Sequence, residues 1–522
     1  MIDQRAPDAG ETIDAMLILV IVSAVVIRFW NLANQPWVDL EDVQHIGYAK
    51  DLVQKGVLGQ GATYLGWTII GALTWLIVPS GPYGELFLSA MFGSLAVVLT
   101  YVFASACHSR LTGLLASAVL AASLIHIHFS RWAQPQAAAI FFVLAAFVLY
   151  ERARRTTPSM RRLYLAGAVG GFGSLCHLSV GPLPAMLVIA EAISDGAASI
   201  AERARRALVM GIALASPLVA AEVIVRVLRL TTGRSDIGSP IGHLWIVPNY
   251  AAYGGGAVQS IQRQDPLLFW RSLWESEGGL FVVAAIAGWA WLTAAIVRRR
   301  SRNEAHRLRQ GYGGQEASSH ILMWLFITGG FVASIGYTLS SGMRVFRYIV
   351  PVVPATAMAV AVFLSLAVTT IRARLGPQGL SRLVAAVCAL VLASGYVRAH
   401  QRVAFSTGFE AVWSIVRQSG AKRVAFVGSP GKNDTVDVSP WELLTAYIPA
   451  ETVMLARPQD VNDLRPAPQL VIVGMLTDAP PPEIRGFHAM TAIWLRMPNF
   501  DARPVQDWDA WGHRQKVFIL RE

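Results

Sequence analysis

At 522 residues, with 54% hydrophobic and only 15% charged positions, the chain has room for more than one core and is too apolar for an ordinary soluble protein. A mean hydropathy of +0.46 agrees. The net charge of +11 sits in short arginine tracts between apolar runs, which argues against a nucleic-acid surface, and Cys107, Cys176 and Cys388 have neither disulfide nor metal-ligand spacing.

Residues 1–15 are polar, and the apolar stretch behind them lacks a small-residue cleavage pattern, so a retained first membrane span is expected over 16–33. Further spans are expected at 84–106, 111–129, 135–150, 163–179, 180–193, 207–229, 279–297, 320–340, 347–369 and 381–397, about eleven in all. Several are shorter than the roughly 20 residues that cross a bilayer. The Gly- and Pro-rich stretch "GAVGGFGSLCHLSVGPLP" makes the 163–193 pair the least regular.

Loop charge orients these runs. Residues 151–162 carry five arginines against Glu151, and residues 298–309 carry six against Glu304. With those tracts cytoplasmic, the N-terminus is cytoplasmic too. Residues 31–83, the segment near 130, the loop 230–278, residues 340–346 and everything after 397 then share the extracytoplasmic side.

The first outer loop, 31–83, opens with "WVDLEDVQHIGYAKDLVQKG" at residues 37–56. Asp39, Glu41 and Asp42 stand at the hydrocarbon edge, where a carboxylate is expensive without an offset. Behind them Val43, Ile46, Ala49, Leu52 and Val53 recur at helical spacing, which predicts a short interfacial helix. Residues 62–78 are apolar, yet counting them as a span would turn every later arginine tract outward. An interfacial or partly re-entrant helix is expected there instead, with Tyr64, Trp67 and Trp75 at headgroup level. The aromatics of "HLWIVPNYAAYGGG" and "DPLLFWRSLWESEGG" in the 230–278 loop suit either interface anchoring or a cover over a lipid tail.

Beyond 397 the composition changes. Residues 398–522 hold 14 Lys and Arg against 13 Asp and Glu, so nearly all the basic excess lies in the apolar part. "KRVAFVG", "ETVMLA", "QLVIVGM", "TAIWLRM" and "KVFIL" read as strands, with helices at 407–419 and 441–448. The expected organisation is a polytopic helical membrane part, 1–397, and a small extracytoplasmic α/β domain, 398–522. "VGSPGKND" lacks the spacing of a phosphate loop and reads as a turn.

No HExxH, GxSxG, CxxC or Walker arrangement occurs. What remains is a set of border residues on the predicted outer side: Asp39, Glu41, Asp42, His45, His126, His128, Arg131, Arg344 and Arg347. Each has an ordinary reading as a cap, a snorkelling cation or a topology signal. Together they offer carboxylates that activate a hydroxyl or hold a divalent cation, and arginines that grip a phosphate.

The arrangement resembles membrane glycosyltransferases of the GT-C fold, especially the bacterial group that includes the aminoarabinose transferase of lipid A and the protein O-mannosyltransferases. In that family an acidic pair in the first outer loop precedes a Tyr-Ala-Leu-Gly pattern. Glu41-Asp42 followed by Tyr48, Ala49, Leu52 and Gly56 falls in the matching place, although the pair reads Glu-Asp and Asp39 lies two residues earlier. The segment 108–155 is similar to the family's third and fourth spans and puts Arg131 near the outer mouth. "RVFRYIVPVVP" resembles its later Arg-Tyr segment, with Arg347 and Tyr348 on the motif and Arg344 beside it.

The resemblance implies inverting transfer of a sugar from a polyprenyl-phosphate donor to a hydroxyl of a lipid, glycan or protein acceptor. Glu41 or Asp39 would be the catalytic base, with Asp42 orienting the acceptor or holding a divalent metal. Arg347 would hold the donor phosphate, helped by Arg131, Arg344 and Tyr348. His45, His126 and His128 are candidates for an acceptor or secondary site. A transporter or flippase of a lipid-linked substrate, and a non-catalytic membrane scaffold, are the alternatives.

Overall fold

Apolar segments that must satisfy their backbone polar groups without water have to become helices, and the computed structural model follows that rule. It describes residues 9–34, 40–77, 83–155, 159–193, 199–235, 237–241, 268–307, 314–339, 350–404, 408–427, 451–455, 458–475, 483–497 and 513–522. The helices are α1 Ala9–Phe29, α2 Leu40–Lys55, α3 Leu65–Ile77, α4 Tyr83–Cys107, α5 Arg110–Ala122, α6 Leu124–Phe129, α7 Gln136–Arg155, α8 Met160–Cys176, α9 Pro182–Ala192 and α10 Ile200–Thr232. After them come α11 Leu268–Glu277, α12 Gly279–Arg307, α13 Gly314–Leu339, α14 Val353–Ala404 and α15 Phe409–Ser419.

Among the described residues seven helices are long and apolar enough to cross a membrane: Glu11–Asn34, Tyr83–Cys107, Gln136–Arg155, Ile200–Thr232, Gly279–Arg298, Val350–Ile371 and Gln378–His400. The runs expected at 111–129, 163–179, 180–193 and 320–340 form helices that are shorter or apolar over a shorter stretch. The first is divided at Ser123. Its extended backbone (φ −65°, ψ 120°) ends α5, while its hydroxyl accepts the His126 N–H and so starts α6. α14 is interrupted at Gly376, whose φ of 64° suits only glycine and is followed by Pro377.

Contacts sort the helix termini into two ends of the bundle. At one end Arg155 Nε donates to Glu151 Oε1 at 3.0 Å and Ser319 Oγ donates to the same oxygen at 2.7 Å. Nearby, the Tyr150 hydroxyl donates to Glu191 Oε2 at 2.8 Å, and Arg110 pairs with Asp14. The arginine tract 151–162 belongs to this end. The other end gathers the end of α1, the start of α4, the α5–α6–α7 junction, the α8–α9 junction and the end of α11.

The first loop folds onto that second end. The segment expected at 43–53 lies in α2, and the apolar 62–78 segment supplies α3, half-buried with Leu73, Leu76 and Ile77 exposed. α3 abuts the end of α8 so closely that a Cβ on Gly66 would stand 2.8 Å from the Cys176 amide nitrogen, hence glycine there.

After α14 the chain forms a five-stranded sheet: β1 Arg423–Val427, β2 Glu451–Leu455, β3 Leu470–Met475, β4 His488–Met497 and β5 His513–Arg521, in the order β2-β1-β3-β5-β4. β1 pairs parallel with β2 and β3, while β5 pairs antiparallel with β3 and β4. Each of the five strands overlaps one of the apolar runs expected, β4 starting three residues before its run and β5 extending past both ends of its own; the helix expected at 441–448 lies outside the described residues. β1 and β3 are buried on both faces, which is why they read as unbroken apolar runs. On one face Val424, Phe426, Leu470 and Ile472 meet Val412, Trp413 and Val416 of α15. That cluster continues into Leu32, Ile46, Leu86, Ala90 and Ala133, so the sheet is seated through α15 on the end that carries the first loop.

Candidate functional site

The end of α1 is held by an arginine from far along the chain. Arg131, fully buried between α6 and α7, donates from Nη1 to the carbonyls of Ile27 (2.6 Å) and Arg28 (3.0 Å), and from Nη2 to that of Trp30 (2.7 Å). These are the carbonyls a helix C-terminus leaves unpaired, and a cation suits the negative end of the helix dipole. Burial pulls this guanidinium down to about 10, still high enough to stay charged at neutral pH. Arg28, also fully buried, donates to the Ala24 carbonyl at 3.0 Å and to His126 Nδ1 at 2.7 Å. A guanidinium only donates, so His126 Nδ1 accepts and the imidazole keeps its proton on Nε2. His128 lies two residues on, its ring 4.0 Å from that of Trp132.

Glu277, at the end of α11, closes this junction from the other side. Its Oε1 accepts from Ser123 Oγ (2.6 Å) and the Ile125 N–H (3.0 Å), and its Oε2 meets Arg398 Nη1 at 3.2 Å. One buried carboxylate thus caps α6 and ties α11 to α14. Sequence reasoning passed over Glu277 and Arg28. Their only signal was a charged residue next to an apolar run, and the partners that tie them to other helices, His126 for Arg28 and Ser123 for Glu277, lie about a hundred or more positions away.

Glu41 and Asp42 lie at the start of α2, Leu40–Lys55. Asp39, Arg344, Arg347 and Tyr348 lie outside the described residues, although the chain resumes at Val350, buried and leading into α14. His45, one turn after Glu41, is buried with its ring 4.7 Å from that of Tyr64, which in turn stacks on His177 of the α8–α9 junction at 5.6 Å. His45 and His126 therefore belong to two different clusters, one under α2 and one beneath the end of α1. Beside α3, the fully buried Glu85 accepts from Trp75 Nε1 at 3.0 Å. Among the described residues no group of three or more His, Cys, Asp or Glu side chains stands close enough to hold a metal ion.

With this geometry in view, the profile of the dolichyl-phosphate-mannose-protein mannosyltransferase family matches residues 83–202, the stretch from α4 into the start of α10. No curated protein matches the chain by sequence. Among solved structures, ArnT from Cupriavidus metallidurans in the apo state superposes with a TM-score of 0.57 over 97% of this chain and 98% of its own, at 12% identity. The archaeal oligosaccharyltransferase AglB from Archaeoglobus fulgidus, in complex with an inhibitory peptide and a dolichol-phosphate, gives 0.53 over 88% of this chain and 69% of its own, also at 12% identity. The apo form of the Archaeoglobus fulgidus oligosaccharyltransferase gives 0.52, with 64% of its own length covered. At such identity the likeness is one of fold: the chain is a multi-pass membrane protein that shares the GT-C fold of these structures.

Proposed function

We propose that the chain transfers a sugar from a polyprenyl-phosphate donor to an acceptor hydroxyl at the extracytoplasmic face of the membrane, inverting the anomeric carbon. One observation carries this reading: the fold is shared along nearly the whole chain with ArnT, while the matching family profile and the AglB complex each name a dolichyl phosphate species.

The carboxylate of Glu41, or of Asp39, takes the proton of the acceptor hydroxyl. The acceptor oxygen forms a bond to the anomeric carbon as the carbon–phosphate-oxygen bond breaks, and the electron pair leaves with the polyprenyl phosphate. That leaving group is already anionic, so no general acid is required. Asp42 orients the acceptor or holds a divalent cation. Arg347 grips the phosphate, with Arg344 and Tyr348 beside it. Arg131, whose guanidinium is engaged by three carbonyls, serves the end of α1 that leads into the acidic loop. His126 and His128 line the neighbouring junction.

A transporter of a lipid-linked substrate is the competing reading, and it calls for charged groups near mid-span. Among the described residues, the buried Arg28, Glu85, Glu151, Glu191 and Glu277 lie instead in terminal turns or within about a turn of a helix end, with Glu222 on α10 the exception. That distribution keeps buried charge at helix ends, Glu151 and Glu191 at one end of the bundle and Arg28, Glu85 and Glu277 at the other, and away from the mid-span positions that transport calls for.

The direct test is to incubate purified protein with a panel of radiolabelled polyprenyl-phosphate sugars and membrane extracts and to identify the labelled product. Transfer from at least one donor is expected; none from any would remove the reading. Orientation is checked separately by labelling Gln54→Cys and Asp434→Cys from outside intact cells. Both are expected to react, and reaction at only one would undo the shared-side assignment.

A further inference from the structure

We propose that His177, at the junction of α8 and α9, is a positioning residue for the acid-bearing helix α2, acting through the ring of Tyr64. The inference rests on the glycosyltransfer reading for its kinetic consequence, and on geometry alone for its structural one.

The chain of contacts is short. His177 ends α8 in an extended conformation (φ −154°, ψ 119°), so its side chain turns back over the junction. Its Nδ1 accepts the Ser179 backbone N–H at 3.3 Å, with the Ser179 hydroxyl 2.5 Å away. A backbone N–H can only donate, so Nδ1 carries no proton and the imidazole is neutral with its proton on Nε2. That pair of contacts fixes the ring plane, leaving a flat face for Tyr64.

Tyr64 lies on that face, its ring centroid 5.6 Å from the imidazole and tilted only 20°. It presents itself to His45 of α2 edge to face, at 4.7 Å and 82°. Both imidazoles are buried, at 3% exposure each, so neither ring is free to rotate away into solvent. Paired rings of this kind are worth about 0.5–1.5 kcal/mol beyond their burial and, more to the point here, have a preferred geometry.

His45 lies three residues after Asp42 and four after Glu41. On a helix those residues are within about one turn. A ring that fixes His45 therefore bears on the first turn of α2, which carries Glu41, one of the two candidate bases. A second support of α2 is α3, which itself depends on the close approach of Gly66 to the end of α8, immediately before His177, while Ile46 packs separately against Leu86 and Ala90 of α4. These two supports of the acidic helix thus rest on the same few residues, 175–177.

Catalysis through a placed carboxylate is sensitive to such a support, because displacement of a reacting group by about 1 Å can cost up to roughly 100-fold in rate. His177→Ala removes both the ring and the acceptor. His177→Phe keeps a ring for Tyr64, and His177→Asn keeps an acceptor for the Ser179 N–H without a ring. If Tyr64 is the relay, Phe restores function and Asn does not.

The experiment reads two quantities in folded, full-length protein. Spin labels at Gln54→Cys on α2 and Leu230→Cys on α10, both exposed, report the spread of the distance between the two helices. A narrow distribution is expected in the parent and in His177→Phe, and a broadened one in His177→Ala, His177→Asn and Tyr64→Leu. In transfer assays His177→Ala is expected to lower kcat about tenfold with donor KM changed less than about twofold. The double variant with Tyr64→Leu should be no worse than the poorer single one, because the two act as a unit. An unchanged distance distribution in His177→Ala overturns the proposal whether or not the protein transfers sugar. So does an additive double variant, or a loss confined to KM. A parent that transfers no sugar removes the functional reading instead, while the distance measurement still decides the role of His177.

Discussion

The two ends of the helix bundle hold buried charge in different ways. At the arginine-rich end each buried carboxylate has a nearby cation: Glu151 with Arg155 at 3.0 Å, and Glu191 with Arg206 at 3.8 Å, itself paired with Glu202 at 2.9 Å. Most of those arginines are partly exposed and come from the same or a sequence-adjacent helix. At the other end Arg28 and Arg131 are fully buried and are met by carbonyls and an imidazole, while Glu85 is met by an indole. Partly exposed ion pairs, joined by the Arg110–Asp14 and Ser319–Glu151 contacts, finish one end; at the other, buried cations on carbonyls and an imidazole, with Glu277 paired to Arg398 at 3.2 Å, link helices about a hundred or more positions apart. The second arrangement fixes the ends of α1, α6 and α11 with respect to one another, the kind of placement a reaction between two substrates needs.

If that distinction is functional, substitutions at the two ends must differ in kind as well as in size. The largest effect belongs to the acids of the first loop. Glu41→Gln or Asp39→Asn is expected to lower turnover by roughly 100-fold or more while leaving donor binding intact, the usual contribution of a positioned base. Added divalent metal changes the size of the Asp42→Asn defect only if Asp42 holds a cation. Wild-type turnover in both base variants, in folded protein that binds donor, would assign these acids to topology alone.

Next comes the phosphate contact. Arg347→Ala is expected to weaken donor binding by about 1.5–3 kcal/mol with little effect on thermal stability. Arg347→Lys should recover part of the loss, since a point charge replaces a planar fork. Wild-type affinity for the lipid phosphate in the Ala variant would reject the assignment.

Arg131→Ala should show the reverse pattern. It strips three carbonyls at the end of α1 of their donor, and a cost of about 2 kcal/mol in stability is expected with donor affinity unchanged in the folded fraction. Thermal unfolding in detergent alongside a donor titration separates the two roles. A loss of donor affinity without loss of stability would return Arg131 to the phosphate.

These expectations also mark how far the sequence could be read. Hydropathy was enough for the long helices, and unbroken apolar runs were enough for β1 and β3, because burial on both faces leaves no alternation to disguise them. The break at Ser123 was hidden, since it has no Gly or Pro and its cap is completed by Glu277, 154 positions away. Tyr64 was legible only as an interfacial aromatic, and His177 as a lone polar residue in a Gly-rich apolar stretch. Local pattern reports which face of a helix is apolar; it carries no record of which distant ring or carboxylate the folded chain will bring to a helix end. Arg131 is the clearest case. Its position in a turn between two apolar runs was readable, but whether its five donors meet a phosphate or the carbonyls of α1 depends on where α1 ends in space.

The smallest effect is expected at the opposite end, and it tests the comparison most directly. Arg155 is about half exposed, with a side-chain exposure of 52%, and its Nε lies 3.0 Å from Glu151, four residues earlier on α7. Exposure screens such a pair and ordering a long side chain opposes it, so truncation to alanine should cost less than about 1 kcal/mol. Glu151 is better buried, but it keeps the Ser319 hydroxyl as a donor at 2.7 Å when the arginine is gone, so it is not left bare. Nothing in this contact reaches the elements that hold α2. Arg155→Ala is therefore expected to shift the unfolding midpoint slightly and to leave both kcat and donor KM within twofold of the parent, about 0.4 kcal/mol. A tenfold fall in turnover from this substitution, in protein that inserts and unfolds normally, would mean that the arginine-rich end also governs the chemistry, and the contrast between the two ends would lose its functional meaning.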